Sequence, residues 1–131
     1  MQNVPAGTLV VVADGRKARM FRNVGDANAL SLRQHELMDA ADIPLQGPSG
    51  VAPPQRSVAE NDEATFAMHV ARRLNDGALT QDYAHLVIVA DPQTLGEMRP
   101  QLHKETLQRL IGEIPKTLTN SPLEDIERAL H

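Results

Sequence analysis

The sequence predicts an α/β fold, a single three-layer sandwich with one mixed sheet between helices, and three observations carry that reading. The first is a pair of continuous apolar runs, Leu9-Val10-Val11-Val12-Ala13 and Leu86-Val87-Ile88-Val89-Ala90, each followed by an aspartate. They are β-branched, too short for an ordinary helix and not alternating, which is the pattern of strands covered on both faces. The second is Asp14-Gly15 directly after the first run, a dipeptide that favours a tight two-residue hairpin and so makes one side of the sheet antiparallel. The third is a set of helical stripes with capping signals from residue 57 onward, which supply crossovers between parallel strands.

Composition limits what such a fold can do. A chain of 131 residues with 41% hydrophobic and 23% charged residues fits one ordinary globular domain. Its formal net charge of −4 gives the molecule as a whole no attraction for nucleic acid or anionic lipid. The absence of cysteine excludes disulfides, thiolate nucleophiles and cysteine-based zinc sites. Met1-Gln2-Asn3-Val4-Pro5-Ala6-Gly7 lacks the cationic start and apolar run of a signal peptide, and no stretch reaches the ~20 apolar residues of a membrane span. A cytoplasmic location is therefore expected, with no membrane partner. Phe21, Phe66 and Tyr83 are the only aromatic residues, too few for the stacking platforms of sugar- or single-strand-binding surfaces.

Taken in order, the first strand turns at Asp14-Gly15 into a second over residues 17–22. Asn23 to Asn28 form a polar turn, and residues 30–38 read as a third strand whose Arg33, His35 and Glu36 protect an edge. From 39 to 61 the pattern disappears: Pro44, Gly47, Pro48, Gly50, Pro53 and Pro54 break helix and strand alike. A long mobile loop is expected there, as a tolerated insertion or as a surface for a protein partner. Ser57-Val58-Ala59-Glu60 is a capping box, with Asn61 as an alternative N-cap. Phe66, Val70 and Leu74 form the buried stripe of the helix that follows, and Asp76-Gly77 marks its end. His69, at the border of that stripe, reads as a helix-surface histidine. After the second apolar run, Thr94-Leu95-Gly96-Glu97 repeats the capping box, and Pro100 bends the helix it opens. Residues 110–114 form a short strand, and Ser121-Pro122-Leu123-Glu124 starts a terminal helix. Three hairpin-paired strands followed by helix, strand, helix, strand and helix, joined by right-handed crossovers, give the strand order 3-2-1-4-5. That is a ribonuclease H-like, Rossmann-like sheet.

Several stretches then carry a family likeness: LVVVADGRKARMF from Leu9, FAMHVARRL from Phe66, the strand at 86–91 with TLGEMRPQL from Thr94, and IPKTLTNSPLEDIERAL from Ile114. Together they resemble the bacterial family of proteins required for attachment to host cells, which is in turn similar to the middle domain of archaeal and eukaryotic peptide-chain release factors. The likeness implies the same sheet order, and RNA, the ribosome or a translation component as partner; no cofactor is expected. Release factors place Gly-Gly-Gln in the loop before the first long helix. This chain has Gln46-Gly47-Pro48-Ser49-Gly50 in that region and no Gly-Gly-Gln anywhere, so hydrolysis of peptidyl-tRNA in their manner is not expected.

Two sets of residues are candidates for a site. Asp14 and Asp91 end neighbouring strands roughly 4.8 Å apart; with Glu60, Asp62 or Glu63 they form a carboxylate set of the kind that holds two divalent metals in ribonuclease H-like nucleases. Against that, Asp14 also reads as half of a turn, Asp91 as a helix cap and the acidic run as a favourable helix start. Arg16, Lys17, Arg19 and Arg22 crowd the first hairpin, and with Gln46 and Arg56 of the loop they form a candidate nucleic-acid or partner surface. Against that, the same cations read as a solvated strand face, the reading that the negative overall charge and the scarcity of aromatics favour. A non-enzymatic interaction protein is the leading expectation, and a metal-dependent nuclease or hydrolase the alternative.

Overall fold

The protein is seen here in a computed structural model that describes residues 4–42 and 58–130, with the backbone alone for 58–61. Its strands are β1 (Leu9–Ala13), β2 (Lys17–Asn23), β3 (Leu32–Asp39), β4 (Leu86–Ala90) and β5 (Leu110–Ile114). Its helices are α1 (Val58–Leu79), α2 (Pro92–Met98), α3 (Lys104–Arg109) and α4 (Leu123–Ala129), with 3-10 turns at Ala40–Asp42 and Arg99–Gln101. The strands form one sheet in the order β3-β2-β1-β4-β5, the order expected. β2 pairs antiparallel with β1 and β3, whereas β4 runs parallel to β1 and β5.

The unbroken apolar character of β1 and β4 follows from the two layers around them. Leu9, Val11 and Ala13 of β1, with Leu86, Ile88 and Ala90 of β4, face a core built with Phe66, Val70 and Leu74 of α1 and Leu95 and Met98 of α2. Val10, Val12, Val87 and Val89 face the other core, closed by Ile126 and Leu130 of the α4 segment. Every side chain of both strands is therefore buried, each contributing roughly 1.5–3 kcal/mol of transfer free energy when it is Val, Leu or Ile.

Element limits differ from expectation for identifiable reasons. Of the residues expected in a mobile loop over 39–61, Asp39 closes β3, Ala40–Asp42 is a 3-10 turn and 58–61 belong to α1; the rest, 43–57, lie outside the described residues. Gly77 does not stop α1, because it serves packing: a Cβ there would lie 2.8 Å from the ring of Tyr83. The helix ends two residues later, and Gln81, at φ 59°, takes the left-handed position. The cap of α2 is Asp91, as its reading as a helix cap anticipates, and not the Thr94 of the capping box, while that of α4 is Pro122 rather than Ser121. Pro100 does end α2, in the 3-10 turn, but the separate helix α3 after it was not expected. His103 caps α3 by accepting from the Glu105 N–H at 3.1 Å.

Candidate functional site

The pairing of β1 with β4 brings Ala13 opposite Ala90, so Asp14 and Asp91 emerge side by side at the carboxyl ends of the parallel strands. There the connections diverge, β1 into its hairpin on one side and β4 through α2 to β5 on the other. Such a switch point is where open α/β sheets ordinarily bind ligands.

Both carboxylates are engaged in local structure. Asp14 Oδ1 accepts from the N–H groups of Arg16 and Lys17, each at 2.7 Å, while Oδ2 accepts from the Thr119 hydroxyl at 2.5 Å. Burial pushes this carboxyl up, but the Thr119 hydroxyl, the two N–H groups and the charge of Lys17 outweigh it and hold Asp14 below its ordinary 3.8. The hairpin is not the two-residue turn with left-handed residues that Asp-Gly favours, since neither Asp14 nor Gly15 has positive φ. Asp14 instead organises the turn through its side chain. Asp91 Oδ2 accepts from the Thr94 N–H at 3.1 Å and Oδ1 from the Thr94 hydroxyl at 2.7 Å, the bonds of an N-cap.

Gly15 has a different purpose. A Cβ at this position would stand 2.7 Å from Cγ of Glu63, so the missing side chain lets α1 lie against the turn. Glu63 then reaches Gln93 at the start of α2, accepting from its amide at 3.2 Å. The candidate carboxylate Glu60 lies in α1 with its side chain outside the described residues. Among the described residues no group of three His, Asp or Glu side chains is placed to hold a metal ion.

The four cations of the hairpin are divided by the fold. Arg19, on the α4 face, donates to Gln34 Oε1 at 2.9 Å and to the carbonyls of Thr119 and Ser121 at 3.3 and 2.9 Å, with its guanidinium 5.0 Å from the Phe21 ring centre. Arg22 pairs with Asp82 at 2.6 Å and donates to the Gly7 and Asp82 carbonyls, beyond the opposite end of β1. Arg16 and Lys17 at the tip are exposed and form no ion pair among the described residues. Gln46 and Arg56 lie outside the described residues. His69 is half-buried on α1, while Arg73 beside it is held by Glu36 at 3.0 Å, a pairing that raises the guanidinium's already high pKa. Thr119 had no signal in the sequence: it meets Asp14 across 105 positions, and nothing local marks a lone threonine.

A cleft of about 310 Å³ opens beside the hairpin tip, lined by Gly15, Arg16 and Lys17, by Asp39 and the two alanines after it, and by Asp62 and Glu63 of α1. No helix among the described residues is long and apolar enough to cross a membrane. None of the curated proteins compared with the chain matches it. The model of one family does match, over residues 7–130, a span that takes in every strand, the switch point and the cleft. The chain belongs to bacterial archaeo-eukaryotic release factor family 12.

Proposed function

We propose that the protein is a non-enzymatic, cytoplasmic binding protein of the translation machinery, which meets RNA of the ribosome or a translation component through the tip of the β1–β2 hairpin. Membership of a release-factor-like family fits a translation-related role. The observation that carries the reading is the unequal use of charge at the switch point. Asp14 and Asp91 are committed to a turn and a cap, whereas Arg16 and Lys17 stand exposed without an ion pair. Cations held in that way are available to phosphate oxygens, and their release of counterions makes binding salt-dependent. The host-attachment likeness names a phenotype rather than a chemistry and adds no residue to the site.

Sedimentation with ribosomes tests the proposal. The chain is expected in the ribosomal pellet at low salt and in the supernatant at high salt. Its absence from the pellet at low salt, or magnesium- or manganese-dependent cleavage of RNA by the purified protein, contradicts it.

A further inference from the structure

The cleft beside the hairpin tip has opposite charges on its walls. Asp62 and Glu63 face in from the second turn of α1, Arg16 and Lys17 from the hairpin, and Gly15 with the two alanines after Asp39 supplies an uncharged floor. Groups of opposite sign this near one another ordinarily close into ion pairs. Here Arg16, Lys17 and Asp62 form none among the described residues, and Glu63 has one long bond, to the uncharged Gln93. Asp39 is partly satisfied by the Ala41 N–H at 2.9 Å. Backbone geometry positions both walls: Asp14 fixes the hairpin, and the close approach of Glu63 to Gly15 fixes α1 against it. The volume, about 310 Å³, lies at the small end of the range for small-molecule sites, and the cleft opens beside the carboxyl ends of β1 and β3.

We propose that this cleft binds a small zwitterion, its ammonium group against Asp62 and Glu63 and its anionic group against Arg16 and Lys17. A ligand with both charges completes the two separated half-pairs at once, whereas one with a single charge leaves the opposite wall unsatisfied. Free α-amino acids have the required chemistry and size. The site shares Arg16 and Lys17 with the surface proposed for RNA, but it depends on the α1 carboxylates, which that surface does not use.

The test is an amide-resolved NMR titration of the full chain with glycine, L-alanine and L-glutamine, and with methylamine and acetate as the two half-ligands. Saturable shifts at Gly15, Arg16 and Glu63 are expected with at least one amino acid in the millimolar range, about tenfold tighter than with either half-ligand. Asp62→Asn, which keeps the shape of the side chain, and Lys17→Met should each abolish saturation while leaving the remaining spectrum in place. Asp62→Asn should sediment with ribosomes as the wild type does, so that the site and the RNA surface stand or fall separately. No saturable shift with any of the three amino acids up to about 20 mM, or saturation unchanged in Asp62→Asn, overturns the proposal.

Discussion

Asp14 shows how far a residue's position can be read from sequence when its work cannot. Its place at the end of a buried strand follows from the valines before it, and Gly15 after it announces a turn. The bond from Thr119, which ties the hairpin to the approach to α4, has no local sign. Replacing Thr119 by Val should cost about 1–2 kcal/mol, the worth of a hydrogen bond to a charged acceptor at a half-buried site, read from a urea denaturation curve. The same bond sets an acid response. Unfolded Asp14 titrates near its ordinary 3.8 and the folded group lower, so its contribution is complete above the unfolded value and is lost as pH falls through the folded one. In Thr119→Val the folded value moves back toward 3.8, and the loss of stability between about pH 5 and pH 2 should become shallower than in the wild type. Gly15 offers a second check. Gly15→Ala should destabilise by about 1–3 kcal/mol through overpacking against Glu63, and Glu63→Ala in the same chain should restore most of that loss. A Gly15→Ala loss that persists in full without the Glu63 side chain would mean that the glycine serves backbone conformation instead.

At the scale of elements, the strands were more legible than the helix ends. β1 and β4 could be read because burial on both faces leaves an uninterrupted apolar run, and a helix stripe does not look like that. The caps stay ambiguous because Asp91 and Thr94, or Ser121 and Pro122, are all acceptable near a helix start; of the two readings for α2 the structure takes Asp91, and for α4 it takes Pro122 in place of Ser121. α3 was missed because six residues are too few to show a period. Val11 and Ile88 are 0% and 1% exposed, and an aspartate at either place would put an unpaired charge between two helical layers, a cost of several kcal/mol. Val11→Asp and Ile88→Asp should therefore fail to give a cooperative thermal melt in a domain with ~5–15 kcal/mol of stability. A normal melt from either variant contradicts the two-layer burial.

Among the described residues, both edges of the sheet carry features that oppose pairing with copies of the molecule. Both edge strands contain a one-residue bulge: His35 of β3 and Ile111 of β5 are skipped in the pairing registers. Such bulges disrupt the flat edge that strand addition requires. Val24, Leu37, Leu79, Leu107, Ile111 and Leu123, the exposed large apolar side chains among the described residues, are spread over separate segments. Sedimentation equilibrium should accordingly return a monomer, and a concentration-dependent dimer would contradict the protection of these edges. With the chain's net charge at −4, the proposed attraction for phosphate has to be local, and the hairpin tip brings together two cations that have no ion pair among the described residues. The division of the four hairpin cations was beyond the sequence, since Asp82, Thr119 and Ser121, which engage Arg22 and Arg19, lie 60 to 102 positions away. The most direct measurement is equilibrium binding to ribosomal RNA over a series of salt concentrations, for the wild type and for Arg16→Glu with Lys17→Glu. Exposed cations contribute little to folding, so the double variant should melt as the wild type does, bind more weakly, and show a salt dependence shallower by about 1.5 in log–log slope, two phosphate contacts having been lost. Equal affinity and equal slope in the two proteins would contradict an RNA-binding role for the hairpin tip.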